Sequence, residues 1–352
     1  MNKIIILIIA TTIISSCSLE KDPYLISKNS IGHVSDTTMI KDLIQIFKND
    51  SIRKGKLSIG NIISLEDKYY QFKQTSQNNF FGEAFRSSNL FDKVTFENFY
   101  NRIYFNYQNT NLGQFKLNFD YHNLNYGYNS VVSINNQIIK NRIKDDMISV
   151  GGSYNKAIGS FDFIGEFGIN VVGDFNGSFL NAMAKYNFND DTALKGEINI
   201  NSRAANYNQL LYQSDYSSYN WDNSSLFNNI KTQQFALQFL SPELVNLTFD
   251  YTSITNFTYF KKTEDNNLIK PKQEEDPVNY IRLKLNREIG FGKFTLDNTI
   301  LYQETLSGED ALNMPQIITR NTIYYSNHFF KKALYLQTGI TLNYFICFLV
   351  IK

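Results

Sequence analysis

From Phe96 onward apolar and polar residues trade places at every step. The clearest case sets Phe115, Leu117, Phe119 and Tyr121 against Gln114, Lys116, Asn118, Asp120 and His122. One side of such a segment is wholly apolar and the other wholly polar, the two-residue period of a β-strand. The rhythm returns in Phe161, Phe163, Phe167, Ile169 and Val171, interleaved with Asp162, Glu166 and Asn170. Val245, Leu247, Phe249 and Tyr251 repeat it against Asn246, Thr248 and Asp250, and Ile281, Leu283 and Leu285 against Arg282 and Lys284. Near the end Leu334, Leu336, Ile340 and Leu342 oppose Gln337, Thr341 and Asn343.

The connections alternate in length. Short polar turns are expected at Asn109–Gly113, Asn155–Gly159, Asn189–Asp191, Ser241–Glu243, Arg287–Gly292 and Asn327–Lys332; each closes a hairpin. Between hairpins the links are mostly long and polar: Asn123–Asp146, Arg203–Lys231, Ile254–Pro277 and Glu304–Gln316. Strands joined alternately by short turns and long loops have the layout of outer-membrane barrels. The pattern predicts roughly twelve strands of about ten residues, the length a tilted strand needs to cross a bilayer.

A soluble sandwich alternates too, so periodicity alone does not decide. Three features favour the membrane reading. The strands are longer than the five or six residues usual in soluble sheets. Large aromatics crowd strand ends, at Tyr104, Phe105, Tyr107, Tyr186, Phe188, Tyr302, Tyr324, Tyr325 and Tyr344, where interfacial girdles would sit. The third is an export signal: Lys3, an apolar run from Ile4 to Ile14, then Ser15 and Ser16 before Cys17. That run is too short to span a bilayer as a helix, so it reads as a cleaved leader. The fold class expected is all-β: an antiparallel up-and-down transmembrane β-barrel, incomplete at one or both ends.

The Ile14-Ser15-Ser16-Cys17 sequence resembles a bacterial lipobox, in which the cysteine is acylated and becomes the first mature residue. The alternative is an ordinary signal peptide whose cysteine is incidental. Residues 18–80 are expected to be a spacer or small periplasmic segment, with Met39, Leu43, Ile46 and Phe47 at helical spacing. The barrel is placed at 81–345 and an aberrant tail, lacking alternation, at 346–352.

Composition fits a chain whose strands are half apolar and half polar: 29 Phe and 23 Tyr beside one Trp and five Pro. The 34 basic and 33 acidic residues give a net charge of +1, which disfavours nucleic acid as a partner. Two cysteines, Cys17 and Cys347, exclude a disulfide framework.

Several long segments resemble the "Putative porin" family of Bacteroidetes. They are Tyr128–Phe175, Asn206–Trp221 (NYNQLLYQSDYSSYNW), Asn286–Gln303 (NREIGFGKFTLDNTILYQ) and Leu312–Phe345. The resemblance runs from about Phe81 to Phe345. It implies an outer-membrane barrel with passive channel function, and it brings no catalytic motif. Lys21–Ser51 looks instead like the start of an uncharacterised Bacteroidetes lipoprotein, as a gene fusion would produce.

Candidate chemistry is sparse. His33, His122 and His328 are scattered, and no HExxH, GxSxG or Walker-type glycine loop occurs, so no catalytic residue, metal ligand or cofactor is expected. Gly290 and Gly292 read as turn residues. Glu274, Glu275 and Asp276 form the densest acidic run, read as a solvated loop rather than a cation site. Glu166, Lys185, Lys195, Glu197, Arg282, Lys284 and Arg287 fall on polar strand faces and are expected to line the lumen and tune ion selectivity. The partners expected are outer-membrane lipid, lipopolysaccharide and the barrel-assembly machinery. The leading function is a channel for passive diffusion of small solutes. Its rival is an outer-membrane β-sheet lipoprotein with a ligand-binding or structural role and no pore, recognising its ligand through the aromatic loop Tyr207–Trp221.

Overall fold

The computed structural model describes residues 55–129, 131–134, 137–263 and 268–346. The expected leader, Cys17, His33, the 39–48 segment and residues 347–352 lie outside them. In chain order the strands are β1 (Lys56–Ser76), β2 (Ser88–Asn109), β3 (Gly113–Gly127), β4 (Val132–Ile134), β5 (Gln137–Ile139), β6 (Arg142–Ile158), β7 (Phe161–Val172), β8 (Ser178–Asn187), β9 (Ala193–Arg203), β10 (Leu211–Tyr212), β11 (Trp221–Asp222), β12 (Ile230–Leu240), β13 (Asn246–Thr255), β14 (Thr258–Lys262), β15 (Ile269–Gln273), β16 (Val278–Phe291), β17 (Phe294–Ser307), β18 (Ile317–Phe329) and β19 (Leu334–Ile346). Thirteen of them form one antiparallel sheet in the order β1-β2-β3-β6-β7-β8-β9-β12-β13-β16-β17-β18-β19. The other six make small hairpins, β4 with β5, β10 with β11 and β14 with β15. This is the meander of an up-and-down barrel.

Short turns gather at one end of the sheet and the long links, with their hairpins, at the other. Asn109 shapes the β2–β3 turn by accepting from the Asn111 and Leu112 amides, at 2.8 and 3.1 Å. Asn189 does the same for the amides of Asp191 and Thr192 after β8. Gly292, at φ +64, turns the chain between β16 and β17, whereas Gly290 stays within β16 and needs no special conformation.

Register carries the alternation across the sheet. Phe119 on β3 pairs with Ile103 on β2 and Val150 on β6; Phe235 on β12 pairs with Ile198 on β9 and Tyr251 on β13, which pairs in turn with Ile281 on β16. These side chains form one apolar outer belt, many of them exposed. On β7 the belt runs from Phe161 to Val171, about the ten residues a tilted strand needs to cross a bilayer. At the loop end it stops abruptly: above Tyr121 the same face of β3 continues with Asn123 and Asn125.

The structure corrects several expectations. The segment expected to be a spacer holds β1, paired with β2 along its whole length from Lys56↔Gln108 to Ser76↔Ser88. Its pattern breaks where Ile62 and Ile63 stand together, which hid it from a strict two-residue test. The sheet has thirteen strands, in line with the roughly twelve expected. The 158–161 turn lies beyond Asn155, β16 runs through Arg287 to Phe291, and β18 extends to Phe329, placing His328 in a strand rather than a turn. The β7–β8 link at the loop end is short, residues 173–177.

Among the described residues β1 and β19 pair only with β2 and β18. Since strands reverse at each step, β1 and β19 both run from the turn end toward the loop end.

Candidate functional site

The polar parity forms the inner face, and several of its charged groups are tied to one another. Arg102 on β2 meets Asp120 on β3 with two bonds, and the Asn118 amide adds a third to the same carboxylate at 3.0 Å. Farther round the sheet, Arg282 on β16 donates to Asp250 on β13 at 2.9 Å. Lys195 on β9 approaches Glu197 at 2.6 Å, and Gln238 from β12 donates to the same Glu197 at 3.1 Å. Each such pair lets two full charges sit on the polar face without isolating either.

Six of the seven expected lumen residues share this inner parity. Glu166 pairs with Asn181, Lys185 with Lys195, Glu197 with Ala236, Arg282 with Asp250 and Lys284 with Thr248. Three of them are in ion pairs, Lys195 with Glu197 and Arg282 with Asp250; Lys185 and Lys195 stand directly opposite, and Lys195 leans away to Glu197. Arg287 does not belong with them: it follows Leu283 and Leu285 on the outer face, near the turn end. Two of the expected girdle aromatics also face inward. Tyr104 lies over Gly60, and Tyr324 donates to Glu288 at 2.9 Å. His122 sits on the inner face with its ring 4.5 Å from that of Tyr100. Among the described residues no cluster of three or more His, Cys, Asp or Glu is placed to hold a metal.

At the loop end the inner face changes character. Tyr126, Ile143, Ile230, Ile254, Val278 and Tyr280 are buried there, on strands β3, β6, β12, β13 and β16. What covers them is the link between β9 and β12. Residues 204–229 enter the mouth and place Ala205, Leu210 and Leu211 against this apolar ring, Leu211 having no exposed surface. Tyr207 stacks on Tyr126 at 5.2 Å and meets Phe96 at 5.8 Å and Phe175 at 6.0 Å. The segment was expected to be an open polar loop; it is a folded strap.

Local bonds make the strap a single body. The Asn206 amide donates to Gln209, the Asn220 side chain ties together the backbone of Ser214, Tyr216 and Ser217, and the Trp221 indole donates to the Asn208 carbonyl at 3.0 Å. Tyr212 and Trp221 stack at 4.9 Å across the β10–β11 bridge.

The far tip crosses to the β1–β2 hairpin. Asp92, on β2 above the belt, accepts from the Ser214 hydroxyl at 2.6 Å and the Asp215 amide at 2.7 Å. Asp215 accepts from the Phe91 amide at 2.8 Å and pairs with Arg86 at 3.3 Å. Tyr216, buried, donates to Gln74 at 2.8 Å and accepts from the Asn78 amide at 2.9 Å. Burial, countered by the Ser214 and Asp215 bonds, holds the Asp92 carboxyl above its usual range. Burial also pushes the Tyr207 hydroxyl up, and that of Tyr212 to about 12, so both stay neutral.

The β14–β15 hairpin carries the acidic run. Glu274 accepts from Tyr259 and Lys272, and these partners hold its carboxyl below the ordinary range, the tyrosine contributing most. An open cleft of about 680 Å³ separates this hairpin from Gly308–Ala311, with Lys261, Lys272, Glu274, Asp276, Glu309 and Asp310 on its walls.

Comparison with known proteins agrees with this architecture. A family model described as "Putative porin" matches residues 22–349. The match begins well before Phe81, where the sequence resemblance was placed, and takes in β1. No curated protein matches the chain. Solved structures of similar fold include the copper transporter OprC, at a TM-score of 0.58 and 11% identity over 76% of this chain and 47% of that one. The ferric enterobactin receptor PfeA of Pseudomonas aeruginosa gives a TM-score of 0.58 at 10% identity, over 80% of this chain and 46% of the receptor. The siderophore receptor PirA of Acinetobacter baumannii gives 0.51 at 11% identity, over 78% and 46%. The chain thus spans about half the length of each.

Proposed function

Because this chain belongs to the family described as "Putative porin", we propose that it is an outer-membrane channel through which small solutes diffuse passively. The observation that carries the reading is the division of each strand between an apolar outer belt and an inner face of paired charges. In hydrocarbon every backbone amide needs a partner, and only a rolled sheet supplies partners while hiding a polar face from lipid. On this reading the belt faces outer-membrane lipid and lipopolysaccharide, and the barrel-assembly machinery inserts the chain. The inner face sets selectivity: Lys185 and Lys284 attract anions, and Glu166 attracts cations. Nothing in this function calls for a catalytic residue or a cofactor.

One observation favours a second reading. The strap crosses the mouth, as it would in an outer-membrane β-sheet lipoprotein that holds a ligand or a structural partner and conducts nothing. The aromatic ligand surface expected at Tyr207–Trp221 is weakened because Tyr216 is buried and Tyr207 is half-buried against Tyr126. Planar-bilayer recording separates the two. Stepwise currents from protein whose insertion is verified by a gel shift on boiling support the channel; silence from such protein supports the second reading.

A further inference from the structure

Strands β9 and β12 are neighbours in the sheet, bonded from Ala193↔Leu240 up to Arg203↔Ile230. A turn of a few residues would join them. The chain instead spends residues 204–229 on an excursion to the opposite wall, from the seventh and eighth strands of the sheet to the first two. Both ends of the excursion stand side by side at Arg203 and Ile230, so the strap can swing about that point without breaking a rung of the sheet.

The strap is held differently at its two sides. Its inner surface rests on the apolar ring of Tyr126, Ile143, Ile254, Val278 and Tyr280. Its tip is held by a compact polar latch: the two Asp92 bonds, the Tyr216 bonds to Gln74 and Asn78, and a one-rung bridge of Ala84 with Tyr216.

We infer that residues 204–229 are the gate of the channel: a rigid strap, hinged at Arg203 and Ile230 and latched through Asp92, that closes the external mouth and must swing out for solutes to pass. The inference rests on the channel reading, since a closed mouth and passive diffusion are compatible only if the closure moves. Rigidity comes from the strap's own bonds, the hinge from the adjacency of its ends, and the latch from a carboxylate that grips both a side chain and a backbone amide.

Two measurements on the full chain test it. In the first, Leu210→Cys is introduced with Cys17 and Cys347 changed to serine, and its reaction with a membrane-impermeant maleimide is timed with Asp92 intact or as Asp92→Ala. Loss of both acceptor bonds should speed labelling by about tenfold or more; equal rates would overturn the latch. In the second, single-channel open probability is recorded for the wild type, for Asp92→Ala, and for a chain whose residues 207–221 are replaced by a short Gly-Ser linker. A gate predicts rare openings in the wild type, more in Asp92→Ala, and a steadily open linker variant. If all three conduct alike, the channel reading stands and the gate is lost. If the linker variant is inserted and silent, the channel reading fails first and takes the gate with it.

Discussion

The Arg102 guanidinium grips both oxygens of the Asp120 carboxylate, Nε to Oδ1 and Nη2 to Oδ2, each at 2.7 Å. Fork-on-fork geometry fixes both side chains on the inner wall and joins β2 to β3 through more than their backbone ladder. Asp120→Asn removes the charge and half of that grip while leaving Arg102 in place. The expected loss is about 2 kcal/mol of stability, less than for a fully buried pair because Arg102 keeps some access to water. The freed cation should also move the reversal potential toward anion selectivity. Thermal unfolding in detergent and bilayer recording in a salt gradient check the two parts.

Leu211 is the most deeply buried side chain of the strap. Truncating it, Leu211→Ala, opens a cavity in the apolar cluster that it shares with Tyr126 and Ile143 and should cost about 3 kcal/mol of strap closure. Limited proteolysis is the readout: cleavage should concentrate in 204–229 while the strands stay protected. Uniform cleavage along the chain would mean that the substitution acts on the whole sheet.

Closure should depend on pH through Asp92, which faces Asp215, Arg86 and Tyr212 as well as Ser214. The closed strap raises the Asp92 pKa above its usual 3.8, so the closed form binds the proton more tightly than the open one. Its stabilisation is therefore complete below the usual value and declines as pH rises through the raised one. Maleimide labelling of Leu210→Cys should accelerate across that window, and Asp92→Asn should flatten the profile. A profile that keeps its slope in Asp92→Asn would assign the titration to another group.

The two faces of β3 and β16 should respond in opposite ways to charge. Phe119→Arg puts a guanidinium in the belt and should cost about 2 to 4 kcal/mol, seen as loss of inserted protein. Lys284→Glu, on the inner face, should leave stability within about 0.5 kcal/mol and shift selectivity toward cations. A stability loss from Lys284→Glu as large as that from Phe119→Arg would mean that Lys284 does not face water.

Strand parity was open to view in the sequence because lipid and water impose it residue by residue: Phe115 to Tyr121 and Phe161 to Val171 needed no tertiary contact to be recognised. β1 was hidden because Ile62 beside Ile63 breaks the rhythm. Arg287, Tyr104 and Tyr324 were misplaced by counting residue type instead of register. The strap was the larger omission, since its Tyr, Asn, Ser and Gln are the composition of an exposed loop. A signal for it did exist. At the loop end the apolar residues change sides: Tyr121 gives way to Tyr126 on β3, Tyr251 to Ile254 on β13, and Ile281 to Tyr280 and Val278 on β16. An apolar patch on the wet side of several strands at one height calls for a lid, and only a long adjoining segment can supply it.

A wall of thirteen staves has its own arithmetic. If β19 were brought round to β1, two ascending neighbours would lie side by side, and that seam would carry the slanted bonds of a parallel pair amid an otherwise antiparallel ring. A ring whose neighbours all run opposite ways holds an even number, so this one reaches it only by gaining an odd number of staves, the first and last descending. In either case β1 is, among the described residues, a stave bonded on one side alone, and the strap, reaching it from β9 and β12, braces it from within.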